Sequence, residues 1–329
     1  MSLFEELKEE LDYINRAIES LPLSGVHEIL GVPARYMLLM GGKRLRPLLC
    51  VLSAELVGGD YRKTEKAFLA LELIHNGTLI HDDIIDEDLL RRGKPSVHVK
   101  FGGKRAVLTG DILLSLGLRY ASETGNIEVV RVLSETASKM VQGVALQTFL
   151  RRRLVSEERY LEIAYLKSGA MFEASALLGG LLSTDRRDHI ALLGELGKNF
   201  GVAYQIRDDI AGVFSDSSLG KPPGSDILNG DPNLPLIYAV SSGDISEGDR
   251  RYLMGLFEGG KGEMDIDRIR GIYIESGALG RSIKAMELFA EKSRESLEVF
   301  EESEAKRKLL SFLDYFYKDF KPKKLLASI

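Results

Sequence analysis

The sequence predicts an all-α protein. Apolar residues recur at helical spacing almost throughout, no run of period-two alternation is bounded by turn residues, and Gly- and Asp-rich punctuation separates long periodic stretches. Punctuation at Gly58-Gly59-Asp60, Gly102-Gly103, Gly125-Asn126, Ser183-Thr184-Asp185, Ser241–Asp244 and Gly259–Gly262 delimits the elements. Helices are expected at roughly 2–20, 26–40, 46–57, 64–88, 104–122, 127–150, 157–182, 186–213, 232–241, 247–256, 265–275, 277–299 and 303–317. Two stretches, Leu89–Gly103 and Ser215–Asn233, read as long irregular loops of the kind that carry function. No composition break marks a linker, so residues 1–329 are read as one domain.

Composition narrows the function classes. The 329 residues are 44% hydrophobic, enough for a large core, and the net charge of −5 gives no overall basic field to attract nucleic acid. Any bound anion must therefore be held by local Lys and Arg clusters. The single cysteine, Cys50, lies in the apolar run Leu48–Leu52 and reads as a core residue, and no internal disulfide is possible. With no stretch of 18 apolar residues and no basic-then-apolar N-terminus, a cytoplasmic protein without a transmembrane segment is expected.

The helix ending in His81-Asp82-Asp83-Ile84-Ile85-Asp86-Glu87-Asp88 carries five acids in seven positions at its negative dipole end. Asp82 and Asp86, at i and i+4, share a face, and like charges at that spacing cost roughly 0.2–0.5 kcal/mol per pair unless solvated or neutralised by a cation. A second pair, Asp208-Asp209, ends another long apolar helix. Two carboxylate clusters facing a shared cavity suit magnesium, which takes few carboxylates, keeps waters and completes its octahedron with substrate phosphate. Two cationic patches, Gly41-Gly42-Lys43-Arg44-Leu45-Arg46-Pro47 and Arg91-Arg92-Gly93-Lys94, offer guanidinium forks and point charges for phosphate.

In combination with His75, Gly110-Asp111, Gln147, Lys167-Ser168, Gln205-Ile206-Arg207-Asp208-Asp209 and Gly220-Lys221, these motifs resemble the trans-polyprenyl diphosphate synthases over residues 36 to 240. The resemblance implies the isoprenoid synthase fold, with long helices surrounding a central cavity, and a homodimer. It implies head-to-tail condensation of an allylic prenyl diphosphate with isopentenyl diphosphate. By position, Asp82, Asp83, Asp86 and Asp208 would be magnesium ligands, with more than one ion per site. Asp209 would stand behind them. Arg91, Lys167 and Lys221 would contact the allylic diphosphate, Lys43, Arg46, His75 and Arg92 would bind isopentenyl diphosphate, and Ser168 and Gln205 would line the reaction centre.

Three positions depart from the family pattern: Gly212 ends the second acid motif, Asp231 stands where Lys is common, and Val144 where Glu is frequent. They keep two other readings in play, a non-catalytic partner subunit and a terpene cyclase. A cyclase would not need Lys43, Arg46 and His75 for a second diphosphate, and a partner subunit would show no turnover alone. Product length is read from the wall preceding Asp82. The small residues Thr78 and Gly77 stand four and five positions before it, where short-chain relatives place a bulky aromatic, and Ile74 lies one turn further. Removing that block would open the pocket by about 6–8 Å along the helix, which predicts a product longer than C20, in the range C25 to C40.

Overall fold

Side-chain caps set several helix starts in this computed structural model, which describes residues 3–214, 223–260, 263–317, 320 and 322. The Ser156 hydroxyl accepts from the Arg159 amide, Ser246 from Asp249, and Asp265 from both Asp267 and Arg268. Asn233 accepts from the Leu236 amide, with Pro235 in the first turn of the helix it starts. Each satisfies a donor that a helix N-terminus otherwise leaves bare.

The chain forms two compact units, Met1–Met140 with Met171–Gly197 and Ser296–Phe312, and Val141–Ala170 with Lys198–Glu295 and Leu313–Ile329. Unit one is built on the helices Lys8–Ser20, Glu28–Leu38, Leu45–Leu56, Glu65–Ile85 and Gly103–Ser122, and holds residues up to 140 of the helix Ile127–Phe149. Its core includes the run Leu48–Leu52, all fully buried, and burial pushes the Cys50 thiol up to about 12, so it is an inert core group as expected. A Cβ at Gly179 would lie 2.3 Å from the Cys50 carbonyl oxygen, so that glycine lets the two backbones touch.

Unit two contains the helices Glu157–Ala164, Leu234–Val240, Glu247–Phe257, Ile266–Glu275 and Ala278–Glu295, and the larger part of Arg187–Phe214. The expected helix over 157–182 is present with one interruption, a π-helical turn at Tyr165–Gly169 before the helix resumes at Ala170–Leu181.

Both stretches read as irregular contain short elements. Leu90–Arg91 pairs antiparallel with Lys94–Pro95, and is followed by the helix Val97–Phe101, while the second stretch holds the helix Ser225–Asn229. Among the described residues this hairpin is the only sheet, which agrees with the all-α expectation, and no helix is long and apolar enough to cross a membrane.

Candidate active site

The first acidic cluster ends the helix Glu65–Ile85. The Asp86 amide donates to the Asp82 carbonyl at 2.8 Å and the Asp88 amide to the Asp83 carbonyl at 2.9 Å across left-handed Glu87 (φ +54°), so the helix closes at the acids themselves. Asp82 and Asp86 are half-buried. Asp83 is fully buried, and accepts from Arg91 Nε at 2.8 Å and from the same guanidinium's Nη2. Burial pushes the Asp83 carboxyl up, against the pull of Arg91. Asp83 and Arg91, expected at the metal and the diphosphate, thus pair through Asp83 Oδ1, while Oδ2 stays buried without a hydrogen-bond partner among the described residues, and Asp82 and Asp86 are the more accessible carboxylates of the cluster.

The two basic patches converge in unit one. Arg92 Nη1 donates to the Gly41 carbonyl, and its guanidinium lies so near Gly42 (φ +128°) that a Cβ there would sit 2.9 Å from Arg92 Cζ. Only glycine permits that approach. Arg44 anchors the turn from below. It is 7% exposed with φ +52°, pairs with Glu72 at 3.2 Å, and donates from Nη2 to the Leu38 carbonyl at 3.0 Å. Asn76 Nδ2 donates to the same Glu72 carboxylate at 2.9 Å. Lys43 is left exposed, and Arg46 stacks on the Phe172 ring at 4.6 Å. Burial, then Arg46, Arg92, Arg91 and Arg44, hold His75 well below its ordinary value, so its ring is neutral. Its Nδ1 is buried with no hydrogen-bond partner among the described residues. The cluster can therefore receive an anion without a metal.

The second cluster belongs to unit two. Asp208 is half-buried, its side chain 43% exposed, and lies 3.4 Å from Arg207 Nη1. Arg207 Nε in turn donates to the Phe316 carbonyl at 2.8 Å. Asp209 is 8% exposed and accepts from Tyr160 at 2.7 Å and from Gln205 Nε2 at 2.9 Å. Burial pushes its carboxyl up to about 7, with Asp226 and Asp208 adding to the rise and the two hydrogen bonds opposing it.

Ser168 Oγ donates to Gln205 Oε1 at 2.6 Å, and Lys167 Nζ donates to Gln147 Oε1 at 2.5 Å. Both Lys167 and Ser168 sit in the π-turn, a local widening common at functional sites. Gly143 makes the turn possible against its neighbour, since a Cβ there would lie 2.6 Å from the Lys167 backbone nitrogen. Lys167, Gln205, Asp209, Asp226, Asp231 and Asn233 line a cleft of about 80 Å³.

Two of the three departures, Gly212 and Asp231, acquire physical accounts. A Cβ at Gly212 would lie 3.2 Å from Asp226 Oδ2, so the glycine leaves room for a carboxylate from another segment. Asp231 is 7% exposed and ion-paired with Arg151 at 2.7 Å, so its charge is neutralised. Sequence reasoning missed Tyr160, Asp226 and Arg151; the run Arg151-Arg152-Arg153 was a signal for the last, whereas no charge cluster singles out Tyr160 or Asp226. Lys221 lies outside the described residues. Among the described residues no three acidic, imidazole or thiolate side chains form a metal-holding group on their own.

The chain-length positions are tightly packed. Ile74 is 1% exposed and Thr78 7%. A Cβ at Gly77 would meet the Gly110 carbonyl oxygen at 3.0 Å and Leu114 Cγ at 3.2 Å, and one at Gly117 would meet Ile74 at 2.6 Å. Gly77 thus serves close packing of Glu65–Ile85 on Gly103–Ser122, which are neighbours in unit one.

Comparison with known proteins follows the same residues. The profile of the polyprenyl synthetase family matches residues 27–272. A short chain isoprenyl diphosphate synthase of Methanothermobacter thermautotrophicus is 36% identical over 288 residues, 86% of this chain and 88% of that protein. A geranylgeranyl diphosphate synthase of Methanosarcina mazei is 34% identical over 326 residues, 96% of this chain and 97% of the relative. The crystal structure of a polyprenyl synthase from Caulobacter crescentus, complexed with calcium and isoprenyl diphosphate, superposes with a TM-score of 0.88 at 30% identity, covering 97% of each chain.

Proposed function

Because the chain belongs to the polyprenyl synthetase family and is a prenyltransferase of isoprenoid synthase fold, we propose that it elongates an allylic prenyl diphosphate with isopentenyl diphosphate in a magnesium-dependent, head-to-tail condensation. The observation that carries this reading over a cyclase is the cationic cluster around neutral His75. A cyclase handles one diphosphate, whereas this cluster offers a second anion site with its own cations.

In this reading Asp82, Asp86 and Asp208 hold magnesium on the allylic diphosphate, and their hard carboxylate oxygens fit that ion. Bound magnesium supplies charge neutralisation for the departing diphosphate. Lys167 and Lys221 add cationic contacts to it, and Arg91 acts by holding Asp83. Lys43, Arg46, His75 and Arg92 hold isopentenyl diphosphate, the His75 ring as a hydrogen-bonding group whose buried Nδ1 has no other partner among the described residues. Ser168 and Gln205 face the carbons that join. Positioning and exclusion of water from the cation are the protein's main contributions. Residues 1–329 serve as one catalytic domain, in a cytoplasmic homodimer. Exposed Val107, Leu108 and Leu118 on Gly103–Ser122 support a partner copy.

We further propose a product beyond C20, between C25 and C40, since Thr78, four positions before Asp82, carries no aromatic ring. Incubation with magnesium, labelled isopentenyl diphosphate and farnesyl or geranylgeranyl diphosphate tests both parts. Consumption of isopentenyl diphosphate by the purified chain is expected, and is absent for a cyclase or a partner subunit. A product that stops at C20 on chromatography would end the long-chain reading.

A further inference from the structure

An unbroken line of hydrogen bonds runs from Tyr160 to Ser168. The Tyr160 hydroxyl donates to Asp209 Oδ2 at 2.7 Å, Gln205 Nε2 donates to Asp209 Oδ1 at 2.9 Å, and Ser168 Oγ donates to Gln205 Oε1 at 2.6 Å. Tyr160 is 2% exposed and Asp209 8%. The line runs entirely within unit two.

Each link constrains the next. An amide is nearly symmetric in shape, so Gln205 alone would fit equally with its oxygen and nitrogen exchanged. In that flipped state its oxygen would face the Asp209 carboxylate, placing two acceptors against each other. The carboxylate therefore fixes the amide with its nitrogen toward Asp209 and its oxygen toward Ser168. Tyr160 occupies the other carboxylate oxygen and keeps the buried group from turning. With Gln205 accepting, the Ser168 hydroxyl hydrogen is committed, and what Ser168 can offer elsewhere is an oxygen lone pair. A lone pair attracts positive charge developing nearby, whereas a hydroxyl hydrogen repels it.

We propose that Tyr160 and Asp209 are positioning residues for prenyl transfer: by locking the orientation of the Gln205 amide, they make Ser168 present oxygen, and never its hydroxyl hydrogen, to the reacting carbons. The inference rests on the function proposed above.

Steady-state kinetics with geranylgeranyl diphosphate, isopentenyl diphosphate and magnesium test it. Tyr160→Phe, which keeps the ring and removes the donor, is expected to lower kcat about tenfold, with both KM values within about twofold of wild type. Ser168→Ala is expected to lower kcat by a similar factor, and Ser168→Thr to keep it within about threefold. In the Ser168→Ala background, Tyr160→Phe should cause no further loss, because both act through one oxygen. A merely structural tyrosine would instead lower kcat in both backgrounds alike, or raise KM, and either result overturns the proposal, as does Tyr160→Phe with wild-type kcat. If Tyr160→Phe does not fold, Asp209→Asn, whose own amide removes the preference for one Gln205 orientation, is read against the same expectations. Wild-type protein that consumes no isopentenyl diphosphate defeats the underlying reading and this inference with it. Normal wild-type turnover with an indifferent Tyr160→Phe defeats the inference alone.

Discussion

Arg151 Nε lies 2.7 Å from Asp231 Oδ1, and the pair is 21% and 10% exposed at the side chains. The amide of the next residue, Arg152, donates to the Gly230 carbonyl at 2.8 Å, so backbone and side chain fasten the same two segments. An acid in a cleft already lined by Asp209 and Asp226 is tolerable because it brings its own cation. Arg151→Ala should destabilise the protein by about 3 kcal/mol, because it leaves a buried charge unpaired. It should also raise KM for the allylic diphosphate, by repulsion. Arg151→Met with Asp231→Leu should recover most of the stability in urea unfolding. An Arg151→Ala protein as stable as wild type would show that the pair contributes nothing.

Glu72 and Arg44 form a second enclosed pair, each 6% exposed at the side chain. Glu72→Ala should cost about 3–5 kcal/mol, since Arg44 keeps its charge without its partner. The effect on kinetics should fall on isopentenyl diphosphate, whose KM should rise while KM for the allylic substrate changes little. Equal changes in both would place Arg44 outside the turn's positioning role.

Glu55 gives the protein a pH dependence of stability. Burial pushes its carboxyl up to about 7, with Lys308 pulling it down and Glu10, Glu304 and Glu9 pushing it further up. The folded state therefore holds a proton that the unfolded chain, with an ordinary carboxyl, releases. Its contribution is fully present below about pH 4.5 and is lost as pH rises through about 7. Glu55→Gln, which cannot ionise, should raise the thermal midpoint at pH 8 and have little effect at pH 4.5. A difference that is constant with pH would remove Glu55 from this account.

Gly77→Phe should fail to yield a folded, shortened-product enzyme. The added ring has the Gly110 carbonyl and Leu114 in its way, and overpacking on this scale costs about 3 kcal/mol or more. Thermal unfolding and product chromatography on the soluble fraction check it. A stable Gly77→Phe protein with a shorter product would mean that the ring finds the chain pocket after all.

The helices were legible because burial imposes the 3.6 period. The expected 104–122 and 127–150 are Gly103–Ser122 and Ile127–Phe149. Short elements left no such trace. The strands Leu90–Arg91 and Lys94–Pro95 are too short for alternation, and Val97–Phe101 spans little more than one turn. The site was legible in its residue types and not in their pairing. Asp83 and Asp82 are indistinguishable as letters, yet Asp83 is fully buried against Arg91. Tyr160 reads as one more apolar position of an amphipathic helix until its hydroxyl is seen on Asp209. Gly77 illustrates the converse, since an absent side chain says only that something else fills the space.

The widened turn at Tyr165–Gly169 amounts to a surplus residue in an otherwise regular helix. Deleting one residue there would mend the spiral while withdrawing the widened turn that carries Lys167 and Ser168. The polypeptide would then gain regular geometry at the expense of aim, so the count of residues in this one coil is itself a heritable setting of chemistry, separable from the ability to fold.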